Sequence, residues 1–198
     1  FKFLMQTFNK TTNRESFSSK RIVFYYHHFG GYGHGMRICS ICKALQRIGK
    51  YDVLVINSGI KQPELGIERY AKVVNLPPVM AQSALFSGLR APEDVRLTLA
   101  KRQKLLKRIS AAFNPDLAVI EHFPFGRMSL RSEILGFIRE LRQRDCRVYS
   151  SVRDLILNKG TKKYFDEFSG IFVHEDPDFD QIEDAPKNSI FTGRVHSY

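Results

Sequence analysis

An α/β fold, a Rossmann-like and mostly parallel sheet of six to seven strands with helices on both faces, is predicted by three observations. Short runs rich in β-branched and aromatic residues alternate with longer stretches whose apolar residues recur at helical spacing, the pattern of parallel strands joined by crossover helices. A glycine-rich turn, Phe29–Gly35, separates the first such strand from the first such helix. At 198 residues, 43% of them hydrophobic, the chain is long enough to bury the core of one domain of this kind.

The elements follow in order. Residues 1–20 are polar and rich in Ser, Thr and Asn, and are expected to form a flexible lead-in. Their apolar stretch is too short and interrupted for a secretory signal, a transit peptide being the alternative, and a start at Phe1 is expected of a processed or cut chain. The single domain is expected over 21–198. Arg21–His27 reads as the first strand and Met36–Arg47 as a helix, with Ile38, Ile41, Ala44, Leu45 and Ile48 on one side. Asp52–Asn57 and Lys72–Leu76 are the next strands, the latter stopped by Pro77-Pro78. Val79–Ala91 lacks periodicity and is expected to be a long mobile loop. A helix over Asp94–Phe113 carries Leu99, Leu105, Leu106, Ile109 and Phe113 on one face. Asp116–Ile120 is a buried strand, Ser132–Arg144 a helix, Arg147–Ser151 a strand, Lys162–Phe168 a short helix and Gly170–His174 a strand, with Ile190–Thr192 a last short one.

Bulk properties narrow the function classes. No run of about 18 apolar residues exists, so no helix is expected to span a bilayer. Three cysteines, an odd and small number, argue against a disulfide framework and point to a reducing cytosol. The net charge of +11 is uneven: the basic excess lies in the first 153 residues and the last 45 are acidic. Such a surface attracts phosphates, anionic lipid or nucleic acid. Nucleic acid is the weakest of these, because the aromatics that would stack on bases (Phe24, Tyr25, Tyr26) fall inside a buried strand. Lys101, Arg102, Lys104, Lys107 and Arg108 lie opposite the apolar stripe of their helix, a basic amphipathic face that suits an anionic membrane surface.

In an open parallel sheet, ligands bind outside the carboxyl ends of the strands. Polar residues collect at those ends: His27-His28 with Gly30-Gly31-Tyr32-Gly33-His34 after the first strand, Glu121-His122 through Arg127 after the fourth, Ser151 through Asp154 after the fifth, and His174 through Pro177 after the sixth. If the strands are placed correctly, all of these converge on one rim. The first loop is no dinucleotide fingerprint: Met36 stands where its third glycine belongs, and Asn57 stands where a ribose-binding acid would end the second strand. No Gly-Lys-Ser/Thr occurs, so a P-loop is also absent from the sequence. Cys39 and Cys42 have redox spacing but lie inside a helix, where small core residues are the better account. Adjacent strand residues point to opposite faces, which argues against His27 and His28 sharing a metal ion, and no metal is expected.

Six blocks carry a resemblance. Gly31-Tyr32-Gly33-His34-Gly35-Met36-Arg37, then Leu76-Pro77-Pro78, Glu121-His122-Phe123-Pro124-Phe125-Gly126-Arg127, Ser151-Val152-Arg153-Asp154, Val173-His174-Glu175-Asp176-Pro177 and Thr192-Gly193 occur in one order. Together, from Lys20 to Val195, they resemble the N-terminal domain of bacterial predicted glycosyltransferases related to MurG, of the GT-B superfamily. The resemblance implies two Rossmann-like domains facing each other across a cleft. The N-terminal one binds the acceptor, and the C-terminal one, beyond this chain or on a separate chain, holds the nucleotide-sugar donor. It also implies catalysis without a bound metal or other cofactor, a peripheral place at the inner face of the membrane, and very slow turnover by this chain alone. Gly35 departs from the bulkier apolar residue expected in relatives, so a looser loop is expected.

Sugar transfer needs a base to take the acceptor hydroxyl's proton. His34 suits it, because imidazole titrates near neutral pH and a helix N-terminus favours its neutral form. Glu121 is the competing base, with an ion pair to Arg127 or Arg153 as its structural alternative. Arg37, Arg127 and Arg153 are candidates to grip an acceptor phosphate, and Gly31, Gly33, His122 and His174 are expected beside the acceptor. Asp154 and Asp176 are expected to cap helices or turns. A non-catalytic docking or scaffold subunit that recruits a donor-domain chain is the alternative function.

Overall fold

A computed structural model describes residues 19–28, 31–79, 93–153, 155, 160–175 and 185–195. Residues 1–18 of the expected lead-in, the loop beyond Val79, Asp154 and Asp176 lie outside the described residues. The strands are β1 (Lys20–Tyr26), β2 (Tyr51–Asn57), β3 (Lys72–Asn75), β4 (Leu117–Glu121), β5 (Arg147–Val152), β6 (Gly170–Val173) and β7 (Ser189–Phe191), and the helices are α1 (Gly33–Ile48), α2 (Glu93–Phe113) and α3 (Arg131–Arg142). All seven strands pair in parallel in the order β3-β2-β1-β4-β5-β6-β7. This is the doubly wound arrangement, and strand order reverses between β1 and β4.

The two-residue period of the central strands builds both layers of the core. Ile22, Phe24 and Tyr26 of β1, with Val53, Val55, Leu117 and Val119, face Ile38, Ile41, Cys42 and Leu45 of α1. Val23 and Tyr25, with Leu54, Ile56, Ala118 and Ile120, face Leu106 of α2 and Ile134, Phe137, Ile138 and Leu141 of α3. Every residue of β4 is buried, as expected of a strand covered on both faces. The cysteines are free; Cys42 and Cys146 are core residues, and burial pushes the Cys146 thiol up to about 12.

Three expectations need correction. First, α1 begins at Gly33, three residues before the expected start, so Gly33, His34 and Gly35 belong to its first turn. Gly35 leaves no looseness, because a Cβ there would lie 2.3 Å from Leu65 Cδ1: the Leu65 side chain occupies that space. Leu65 comes from a pair of 3-10 turns, Pro63–Leu65 and Ile67–Arg69, that the sequence reading left unassigned. Second, the expected short helix after β5 is 3-10 in form, Lys162–Glu167.

Third, Arg102 is not part of a solvated basic face: it is 0% exposed. Its guanidinium donates to both oxygens of Glu133 on α3 (2.7 and 2.9 Å). It also reaches the carbonyls of Ser58 (3.0 Å) and Pro77 (2.6 Å), and the Ser58 hydroxyl. Tyr25 donates to Glu133 at 2.7 Å, completing a buried polar knot that joins β1, the segments after β2 and β3, α2 and α3. A buried guanidinium stripped of its carboxylate is an uncompensated charge. Glu133→Ala is therefore expected to lower the unfolding free energy by about 3–5 kcal/mol, read from urea melts against the unaltered chain.

Candidate functional site

The reversal of strand order places the end of β1 beside the end of β4. Into that crevice, the place where doubly wound sheets take ligands, α1 projects His34 and, three residues on, Arg37. Three residues apart on a helix is one face, and both side chains reach the same carboxylate, Glu121 at the end of β4. His34 Nδ1 lies 3.1 Å from Glu121 Oε1, and Arg37 donates to the same oxygen. Glu121 Oε2 accepts from the Ser151 hydroxyl at the end of β5. Ser151 Oγ lies 2.9 Å from His174 Nε2 just past β6, and His174 Nδ1 lies 2.8 Å from Thr192 Oγ1 just past β7. One chain of hydrogen bonds thus runs along the carboxyl rim from α1 to β7.

The directions of these bonds are fixed by elimination. A guanidinium has donors and no lone pair. Arg127 Nη2 lies 2.8 Å from His34 Nε2, so Nε2 accepts, and the single ring proton sits on Nδ1, donated to Glu121. Ser151 spends its one proton on Glu121 Oε2, so it accepts from His174 Nε2–H, and His174 Nδ1 is left to accept from Thr192. Burial, the largest influence, pushes the Glu121 carboxyl up. The His34 hydrogen bond, Arg37, Ser151 and His174 outweigh it and hold the carboxyl below its ordinary value. Glu121 is an ionised anchor with its oxygens occupied, and its ion pair is with Arg37 rather than the expected Arg127 or Arg153.

The turn after β4 is shaped by two non-glycine residues in the left-handed region, His122 (φ 68°) and Arg127 (φ 62°). Such backbone is uncommon for these residue types and marks a segment held by its surroundings. Here His122 N–H donates to the Ser151 carbonyl, Gly126 N–H to the His122 carbonyl, and Ser150 Oγ to the Phe123 carbonyl. A Cβ at Gly126 would lie 2.5 Å from the His122 ring, so only glycine lets that imidazole lie against the turn. The ring is thereby held 5.3 Å from the His34 ring, centroid to centroid. Arg127 Nε donates to the His27 carbonyl (2.9 Å), which aims Nη2 at His34.

Of the sequence-predicted site residues, His34, Arg37, Glu121, His122 and Arg127 come together. His174 is 4% exposed and stands behind Glu121 through Ser151, so it supports the site rather than lining it. Arg153 is exposed just beyond β5. Gly31 and Gly33 are exposed, and among the described residues nothing lies within 4 Å of a Cβ built on either, nor does Gly33 have a positive φ. The described fold therefore gives no internal reason for glycine there. His27 and His28 part company, His27 Nδ1 meeting the Ser58 carbonyl (2.9 Å) and His28 Nε2 the Ile60 carbonyl (2.8 Å). Among the described residues, no three His, Cys, Asp or Glu side chains are placed to hold a metal ion. Ser151 and Thr192 were missed as functional positions. The signal for them is a polar residue at the end of an otherwise apolar strand.

Solved structures share this fold. MurG of Acinetobacter baumannii superposes with a TM-score of 0.59 at 10% identity, over 90% of this chain and 47% of that one. UGT2 of Phytolacca americana, complexed with UDP-2-fluoro-glucose and pterostilbene, gives 0.57 at 12% identity, over 92% and 55%. The calicheamicin glycosyltransferase CalG4 gives 0.55 at 17% identity, over 89% and 53%. No known family profile and no curated protein sequence matches the chain. The fold is thus one that these solved structures share, and the chain spans about half the length of each of them.

The histidines make the site sensitive to acid. Burial, reinforced by Arg127 and His34, lowers His122 to about 4; burial lowers His174 to about 4 and His27 to about 3. The unfolded chain takes up these protons from about pH 6.5 downward while the folded chain resists, so their contribution is complete above pH 6.5 and is lost as pH falls towards 3–4. The depressed Glu121 acts in the same direction, its contribution fading below about pH 4.5. The thermal midpoint is expected to fall steadily from pH 6.5 to 4, and His122→Asn, whose side chain tolerates the left-handed backbone and does not titrate, is expected to flatten that slope. Equal slopes in differential scanning fluorimetry would count against the assignment.

Proposed function

We propose that this chain is the acceptor-binding half of an inverting glycosyltransferase of the MurG-related bacterial kind. It takes a hexose or N-acetylhexosamine from a nucleotide sugar held by a donor-binding lobe, either its own C-terminal continuation or a separate chain. His34 is the base. In the transfer, the acceptor oxygen bonds to the anomeric carbon, the bond from that carbon to the diphosphate breaks, the nucleoside diphosphate leaves, and the hydroxyl proton passes to His34 Nε2. Glu121 holds the Nδ1–H tautomer in place and stabilises the imidazolium as it forms, and Ser151, His174 and Thr192 hold Glu121. No step calls for a metal ion. The carrying observation is the His34–Glu121 contact at the strand-order reversal, with His34 26% exposed and Glu121 fully buried. Gly31 and Gly33, which the described fold does not require, suit an acceptor that lies close against the backbone.

His34→Ala, in the whole protein or with its donor partner, is expected to lower transfer from a radiolabelled nucleotide sugar by about 10²–10⁴-fold, the range for losing a general base, while donor binding is unchanged. The chain alone is expected to turn over no nucleotide sugar; hydrolysis by it that vanished in His34→Ala would sink the half-enzyme reading.

A second reading, a membrane-docking subunit, draws on α2. Arg96, Lys101, Lys104, Lys107 and Arg108 are exposed along it, beside a 55% exposed Leu97. Among the described residues no helix is long and apolar enough to cross a membrane, so contact would be peripheral, at about 1 kcal/mol for each basic residue near an anionic surface. Sedimentation with phosphatidylglycerol vesicles at low salt, lost in Lys101→Glu/Lys104→Glu, is expected; docking without any His34-dependent transfer by the assembled pair would favour the scaffold over the enzyme.

A further inference from the structure

One imidazole at the crevice makes no hydrogen bond within the described chain. Among the described residues His27, His28, His34 and His174 each have a ring nitrogen in a hydrogen bond. His122, half-buried beside His34, has none to another described residue. Its placement is nonetheless strictly held. The backbone is left-handed (φ 68°), which costs a non-glycine residue free energy. It is fixed on both sides: the N–H donates to the Ser151 carbonyl, and the carbonyl accepts from Gly126 N–H, each at 2.7 Å. A Cβ at Gly126 would lie 2.5 Å from the ring's Cδ2, 2.6 Å from Nε2 and 3.6 Å from Cγ. The Cδ2–Nε2 edge therefore rests on the turn, and Nδ1 sits on the edge away from it. Burial, with Arg127 and His34, lowers the ring to about 4, so at neutral pH it is uncharged, one nitrogen a donor and the other an acceptor. A positive φ, a neighbour restricted to glycine and a polar ring withdrawn from water all disfavour the folded state, and no hydrogen bond of that ring within the described fold offsets them.

We propose that His122 is a specificity-determining residue that takes the oxygen next to the reacting one: Nδ1 hydrogen-bonds a hydroxyl or ether oxygen on the carbon adjacent to the hydroxyl that faces His34. The inference rests on the glycosyl-transfer reading of His34 and adds a substrate class to it, a 1,2-diol or its monoether in place of an isolated alcohol or phenol. The His122 and His34 ring centroids are 5.3 Å apart and the rings tilted by 52°, a separation that suits two oxygens on neighbouring carbons, one to each imidazole. A neutral ring supplies a hydrogen bond and no net charge, so the oxygen it selects is an uncharged one. Discrimination follows from what happens when that oxygen is missing. An acceptor without it leaves a polar group of the site unpaired, and a site built to hydrogen-bond an oxygen rejects the analogue lacking it far more sharply than an apolar pocket rejects a misfit.

The test needs no sugar donor. The full chain, carrying carbon-13 at histidine Cε1, is titrated with trans-1,2-cyclohexanediol and separately with cyclohexanol, two probes that differ by one hydroxyl, and the ring signals are followed by NMR. The diol is expected to move the His122 signal saturably and to bind about fivefold more tightly than the alcohol, the factor for one neutral hydrogen bond of ordinary strength. His122→Gly removes the ring and tolerates the left-handed backbone, and it is expected to bind the two probes alike. Equal affinity for diol and alcohol in the unaltered chain overturns the proposal, and so does a diol preference that survives in His122→Gly. If His122→Gly does not fold, the unaltered chain decides alone: a diol preference that leaves the His122 signal in place overturns the assignment to this residue. Because nothing is transferred, the diol result stands whether or not His34→Ala abolishes transfer, and loss of the diol preference leaves the transfer result as it is.

Discussion

A single buried carboxylate organises the rim of this sheet. Glu121 ends a strand whose every residue is covered, and an ionised group there costs several kcal/mol unless each of its oxygens is met by a donor. The fold meets that demand from four directions, with His34 and Arg37 from the first turns of α1, Ser151 from β5, and His174 with Thr192 behind Ser151. Moving any one of these elements by an ångström would leave a buried charge short of a partner. Satisfying Glu121 and positioning His34 are therefore the same structural event, and the precision of the site follows from the cost of leaving the carboxylate unmet.

A second buried charge does comparable work deeper in the molecule. Arg102 and Glu133 tie α2 to α3, and through Tyr25 and Ser58 they reach β1 and the segment following β2. Ser58 also meets His27 Nδ1, and the His27 carbonyl holds Arg127. A continuous run of hydrogen bonds thus leads from the helices on one face of the sheet to the guanidinium that covers His34. Networks of this kind specify one arrangement because partial satisfaction is worse than none. The strand ends are held from below by Arg102 and from the side by Glu121, and among the described residues nothing lies within 4 Å of a Cβ built on Gly31 or Gly33 at the start of α1.

The architecture was legible because parallel strands covered on both faces advertise themselves as short apolar runs, and all seven were placed to within about a residue. The gathering of polar residues at strand ends also led to the right edge, since alternation leaves the chain few other places to put them. What the sequence did not disclose was which charges pair. Arg102 reads as one more basic residue of an amphipathic helix, and only the Glu133 carboxylate across the α2–α3 contact turns it inward. His174 directly follows a strand and His34 opens a helix, and both read as rim histidines, yet His34 faces the crevice and His174 stands behind a serine. That distinction depends on β7 closing over β6 with Thr192, a contact between segments 18 residues apart that no local pattern encodes. Start positions suffered for a related reason: glycines at 33 and 35 disguise a helical turn that Leu65 packing makes favourable.

The likeness to solved glycosyltransferases, at 10–17% identity, establishes a shared chain path and no shared chemistry. The chemistry of the site depends on a tautomer instead. Arginine cannot accept a hydrogen bond, so its approach to Nε2 sends the His34 proton to Nδ1, and an ionised Glu121 is what receives it there. Were the carboxylate neutral, or replaced by a group that could also donate, the ring could hold its proton on either side and the Arg127 contact would compete with a repulsive alternative. The same pair of charges that prepares the imidazole to accept a proton also covers the atom that would accept it. Preparation and restraint thus arise from one geometry.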